Sequence, residues 1–187
     1  AHSLVGNSLI RSAQIIQAAS GIPLAPEDIV ERLLDKVVEQ MRADVPWRPG
    51  ARELLVELRD LAVPCALVTM SYRRLVDAFL AAVPAGAFSV IVTGDEVTHG
   101  KPHPEPYLTA AHALGVSPEE CVALEDSIPG VTSAVAAGVP TIGIRNLVPV
   151  PALAGVVELG TLEGVGARDL VTLVSRLPDE VGQTRAP

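Results

Sequence analysis

The sequence predicts an α/β protein built on a doubly wound parallel sheet, with a small helical segment ahead of it. Three observations point there. Short, continuously apolar runs of strand length recur along the chain. Stretches of helical periodicity lie between them, and a rigid Pro46-Trp47-Arg48-Pro49-Gly50 break sets this alternation apart from two amphipathic helices. Strands that are apolar at every residue need cover on both faces, and helices interposed between parallel strands supply it.

The two helices come first. Over residues 8–19 and again over Pro26–Ala43, apolar residues recur at three and four positions, as in Ile29, Leu33, Val37, Val38 and Met41. Gly21-Ile22-Pro23-Leu24 separates them, and Pro26 with Glu27 and Asp28 provides the proline and acidic first turn that suit the positive end of a helix dipole. Beyond the break, strand runs are expected at 65–69, 89–93, 121–125, Thr141–Ile144 and, more weakly, Val156–Leu159. Helical stretches are expected at 51–62, 71–82, 104–114, 129–137 and 167–176. The organisation that follows is a helical segment at 1–45, an α/β core at 46–175 and a polar tail at 176–187.

At 187 residues, 49% of them apolar, the chain can bury one substantial core and a small accessory one. Against 22 acidic residues stand only 14 Lys and Arg, a formal charge of −8 without a basic run, so neither nucleic acid nor a membrane surface is an expected partner. An anionic ligand has to be held by a few local donors or a metal. Cys65 and Cys121 lie inside apolar runs and read as buried thiols. Reduced thiols, together with the lack of an apolar stretch approaching the roughly 20 residues that span a bilayer, suit a cytoplasmic protein.

Ligands of open parallel sheets bind beyond the carboxyl ends of the strands, so the residues closing each run are the site candidates. The first run closes on Thr69-Met70-Ser71, the second leads through Gly94-Asp95-Glu96 to Gly100-Lys101-Pro102, and the third closes on Glu125-Asp126-Ser127. Adjacent carboxylates repel unless a cation intervenes, and hard oxygen ligands suit Mg2+; the same pair also fits a solvated acidic turn. The Thr69 hydroxyl and the amides of Met70 and Ser71 can hold phosphoryl oxygens, or Thr69 can simply cap the next helix. Lys101 can balance phosphoryl charge, or be a surface lysine in a turn fixed by Pro102 and Pro104. His99, His103 and His112 show no ligand-like pairing and read as surface residues.

Taken in order, the apolar run ending at Thr69, Gly100-Lys101-Pro102-His103-Pro104, Leu124-Glu125-Asp126-Ser127-Ile128-Pro129-Gly130 and Ala136-Ala137-Gly138 closely resemble motifs II, III and IV of the haloacid dehalogenase superfamily. The subgroup they resemble most contains β-phosphoglucomutase and phosphoglycolate phosphatase. That resemblance implies a Rossmann-like core with an inserted helical cap, here residues 1–45. It implies Mg2+ held by Glu125 and Asp126, a phosphoryl group bound by Thr69, and Lys101 balancing charge against an aspartyl nucleophile. It also implies a substrate-selecting cap loop at Gly6, Asn7 and Ser8. Leu9 falls where the hexose-phosphate mutases have an arginine, which favours a phosphatase acting on a small phosphorylated metabolite over a sugar phosphomutase.

The family's nucleophile lies in an Asp-x-Asp-x-Thr motif on a first, central strand, and the sequence contains no such motif. The expectation is therefore that an N-terminal segment of the same protein supplies both the strand and the aspartate, and that these residues alone are inactive. The competing expectation is a binding or regulatory module that kept the scaffold without the catalysis.

Overall fold

Residues 9–145, 155–175 and 177 are described by a computed structural model, in which the chain divides into two units. One takes in residues 9–46 with Arg74–Ala82; the other takes in Trp47–Arg73 and the chain from Val83 onward.

In the first unit, helix α1 (Leu9–Ser20) packs on helix α2 (Pro26–Ala43). Their shared core is Ala13, Ile29, Val30 and Leu34, flanked by Ile10, Ile16 and Leu24. Val30, Leu34 and Val38 recur every four residues and are buried, whereas Leu33 and Val37 of the same helix are exposed. The apolar set of α2 is thus wider than one helical stripe, and α1 covers only the stripe it faces. Arg74 forks to Glu31 and Asp35, which sit one turn apart on α2.

The second unit alternates as expected. Helix α3 (Ala51–Asp60) leads to β1 (Ala66–Val68); α4 (Arg73–Leu80), which from Arg74 onward belongs to the first unit, precedes β2 (Val90–Val92) in the chain. Then come α5 (Glu105–Leu114), a 3-10 turn (Pro118–Glu120), β3 (Ala123–Glu125), α6 (Ile128–Ala136), β4 (Thr141–Ile144), β5 (Val156–Leu159) and α7 (Ala167–Val174). The 3-10 turn is an addition to the expected elements. Pro118 opens it, and the Ser117 amide donates to the Glu120 carboxylate at 2.9 Å. Gly50, at the start of α3, has φ +80°, and a Cβ there would lie 2.0 Å from the Leu162 carbonyl oxygen, so only glycine fits.

All strand pairs are parallel. Along β3 and the residues before it, Val122 and Leu124 pack with Leu54 of α3, Ile142, Ile144 and Leu170 of α7. Cys121 and Ala123 pack with Tyr107 of α5, Ala134 of α6 and Val139. This two-residue alternation between opposite cores is what a strand covered by helices on both faces requires.

The sheet comes in two pieces, β1-β2 and β3-β4-β5, and no ladder joins β1 to β3 among the described residues. Thr69 donates its amide to Val92 O at 2.9 Å, and Ala123 donates to Pro140 O at 2.9 Å. Successive residues of a parallel strand aim their backbone groups to opposite sides, so Val68 on β1 and Leu124 on β3 turn theirs toward the space between the pieces. That space is a cavity of about 570 Å³, lined by Ala66, Leu67 and Val68, by Val122 and Leu124, and by apolar residues of α3 and α5.

Among the described residues no helix is long and apolar enough to cross a membrane. Both cysteines are free thiols and half-buried, and burial pushes the Cys65 thiol up from its ordinary value.

Candidate active site

The strand order brings the carboxyl ends of β1 and β3 to the same rim, on either side of the gap. Past β1, the Thr69 hydroxyl accepts the Ser71 amide at 3.1 Å, and the Ser71 carbonyl accepts the Gly94 amide at 3.1 Å. Thr69 therefore has the turn-capping contact, and its own O–H is the donor left to meet a ligand; the Ser71 amide is engaged within the turn. Past β2, Asp95 accepts the Thr93 hydroxyl at 2.6 Å and the Arg73 amide at 3.1 Å, while Arg73 pairs with Glu96 at 3.2 Å. The Thr93 hydroxyl foremost, then the backbone amides of Asp95 itself and of Arg73, hold the Asp95 carboxyl below its ordinary value. These contacts clasp the end of β2 to the start of α4.

Lys101 crosses the gap. Its side chain is only 8% exposed, and its ammonium donates to Val68 O at 2.9 Å and to the Glu125 carboxylate. The same nitrogen lies 4.9 Å from the centroid of the Tyr107 ring. Its backbone amide donates to Met70 Sδ at 3.2 Å. Met70 thus supports the lysine turn, a contact spanning 31 positions that nothing local in the sequence announces.

Glu125 is 6% exposed and fully engaged. Oε1 takes Lys101 and the Tyr107 phenol, and Oε2 takes the Ser127 hydroxyl at 3.2 Å. Burial, then the adjoining Glu125 charge, pushes the Tyr107 phenol far above its ordinary value, so it remains a donor. Ser127 also caps α6 by accepting the Gly130 amide at 3.1 Å. Gly130 is buried against the carboxylate; a Cβ there would fall 1.9 Å from Glu125 Oε2. Sequence reasoning did not name Tyr107 and gave Ser127 no role of its own. Their only signal is an amphipathic residue in the first turn of the helix after Lys101, and a Ser three residues before a glycine.

Thr69, Met70, Ser71, Lys101, Glu125 and Asp126 are therefore brought to one rim: the lysine touches the residue before Thr69 and the residue before Asp126. A hard dication needs accessible oxygen ligands. Asp126 meets that need, being exposed at the end of β3, whereas both oxygens of Glu125 are turned to protein donors. Gly6, Asn7 and Ser8 lie outside the described residues. His99 and His103 are exposed, as expected of surface residues, but they stand together, their ring centroids 4.6 Å apart beside Glu105.

The sequence profile of the haloacid dehalogenase-like hydrolases matches residues 5–144. The chain is 32% identical over 146 residues to a bifunctional riboflavin kinase/FMN phosphatase of Arabidopsis thaliana, covering 77% of this chain and 38% of that protein. It is 39% identical over 107 residues to hexitol phosphatase A of Escherichia coli (strain K12), covering 56% and 49% respectively. The chain thus spans less than half the length of these two curated relatives. The crystal structure of CbbY from Rhodobacter sphaeroides in complex with phosphate aligns with a TM-score of 0.78 at 28% identity, over 91% of this chain and 80% of that one. With a profile match over most of its length and a rim carrying the residues of that family's motifs, the chain belongs to the haloacid dehalogenase-like hydrolase family.

Proposed function

We propose that this chain carries most of a Mg2+-dependent phosphomonoester hydrolase for a small phosphorylated metabolite, with the nucleophilic aspartate arriving on a strand that fills the gap between β1 and β3. The observation that carries this reading is Lys101, whose buried ammonium joins the end of β1 to the end of β3 at the mouth of the gap.

The chemistry divides among the residues as follows. The Thr69 O–H and the Met70 amide hold phosphoryl oxygens. Lys101 lends positive charge where negative charge accumulates, and donors of that kind are worth about 3 to 4 kcal/mol in transition-state stabilisation. Glu125, itself held by Tyr107 and Ser127, fixes the ammonium in position. Asp126 would hold Mg2+, which when bound draws charge from the phosphoryl oxygens. The incoming aspartate forms an O–P bond as the ester P–O bond breaks and the leaving oxygen takes a proton; water then attacks phosphorus, releasing inorganic phosphate and freeing the carboxylate.

Two further observations support the reading. The Val68 amide and the backbone of Leu124 face an apolar slot, where exposed backbone favours an added strand, while Val68 O is held by Lys101. Relatives that share this chain's core are named as phosphatases. The test is hydrolysis of p-nitrophenyl phosphate by the protein extended upstream through an Asp-x-Asp-x-Thr segment. Turnover is expected only with Mg2+, and Asp126→Asn is expected to lower kcat at least about 100-fold. Undiminished turnover in that variant, or in the absence of Mg2+, rejects the assignment.

A further inference from the structure

A second group of ligand-type side chains surrounds the Lys101 turn and takes no part in phosphoryl transfer. His99 Nδ1 lies 2.8 Å from Glu105 Oε2, and His103 Nδ1 lies 4.0 Å from the same oxygen. One ligand atom from each of the three residues falls within 4.8 Å of the other two. The imidazoles are open to solvent, with side chains 62% and 50% exposed, while the Glu105 side chain is 26% exposed. The loop holds the set in place. Glu105 accepts the Thr98 amide at 2.6 Å and the His99 amide at 2.9 Å, and its own amide donates to His103 Nδ1 at 3.2 Å, orienting that ring.

We propose that His99, His103 and Glu105 form a binding site for a divalent transition-metal ion of the zinc, cobalt, nickel and copper class. Two imidazoles and one carboxylate suit these borderline ions, whereas Mg2+ prefers oxygen alone. Tetrahedral zinc with bonds of about 2.1 Å sets its ligand atoms about 3.4 Å apart, against ligand atoms that lie within 4.8 Å of one another here, so side-chain rotations close the set, His103 exchanging its Nδ1 contact with the Glu105 amide for the ion. The ion replaces the proton shared by His99 and Glu105, which leaves to solvent, and water completes the coordination. The two imidazoles flank Lys101 at two residues on either side, so an occupied site ties the ends of its turn together. The proposal is independent of the phosphoryl-transfer reading and of the Mg2+ position at Asp126.

The test titrates tag-free protein with Zn2+ in competition with a chromophoric chelator, and repeats the titration with Co2+ followed by its visible absorption. One ion per chain is expected, with affinity unaffected by millimolar Mg2+. His99→Ala and His103→Ala, both at exposed positions, are each expected to weaken Zn2+ binding at least ten-fold. His2→Ala and His112→Ala, at the remaining histidines, leave it unchanged. Failure of the wild-type protein to bind Zn2+, or equal affinity in the His99→Ala and His103→Ala proteins with circular dichroism unaltered, overturns the proposal.

Discussion

Lys101 and Glu125 are a buried ion pair whose neighbours leave neither charge to water, since Val68 O, the Tyr107 ring and hydroxyl, and Ser127 complete the set. Removing one partner of such a pair strands the other charge. Lys101→Met is accordingly expected to destabilise the protein by about 3 to 5 kcal/mol, and Lys101→Met with Glu125→Gln to recover part of that loss, as read by urea denaturation. Gly130→Ala forces a Cβ into the space of the Glu125 carboxylate and is expected to cost about 1 to 3 kcal/mol by the same measurement. Thr69, Lys101 and the Glu125-Asp126 pair were legible in the sequence because each closes or follows an apolar run. Tyr107, the contact of the Met70 sulfur with the Lys101 amide and the pairing of His99 with His103 were not, because they depend on how side chains turn once distant segments meet.

Among the elements, the clasp from β2 to α4 has a pH signature. Asp95 titrates lower in the folded protein than in the unfolded chain, so its contribution is complete above its ordinary value near 3.8 and fades as pH falls through the depressed folded value. Asp95→Asn is expected to flatten the stability curve below about pH 4 and to leave its shape near neutrality unchanged, as followed by thermal melts across pH. Strands and helices of the second unit were readable because continuous apolar runs and helical periods alternate there. Which part of the apolar set of α2 is buried was not readable, and Leu33 and Val37 are exposed, since an apolar set wider than one stripe does not say which part its neighbour will cover. The 3-10 turn was overlooked although Ser117-Pro118-Glu119-Glu120 carries a capping signal.

For the molecule as a whole, the sequence allowed a parallel doubly wound sheet to be expected, and the structure has one in two pieces. β1 and β3 each pair in parallel with their outer neighbours, β2 and β4. An apolar slot between two strands that aim backbone groups into it is the shape that one more parallel strand would complete. The most direct measurement is amide hydrogen exchange at Val68 and Leu124, in these 187 residues and in the protein extended through the Asp-x-Asp-x-Thr segment. The account predicts fast exchange at both amides in the former and at least about 100-fold protection in the latter, as for amides drawn into a sheet interior. Equal exchange rates in the two proteins would contradict it.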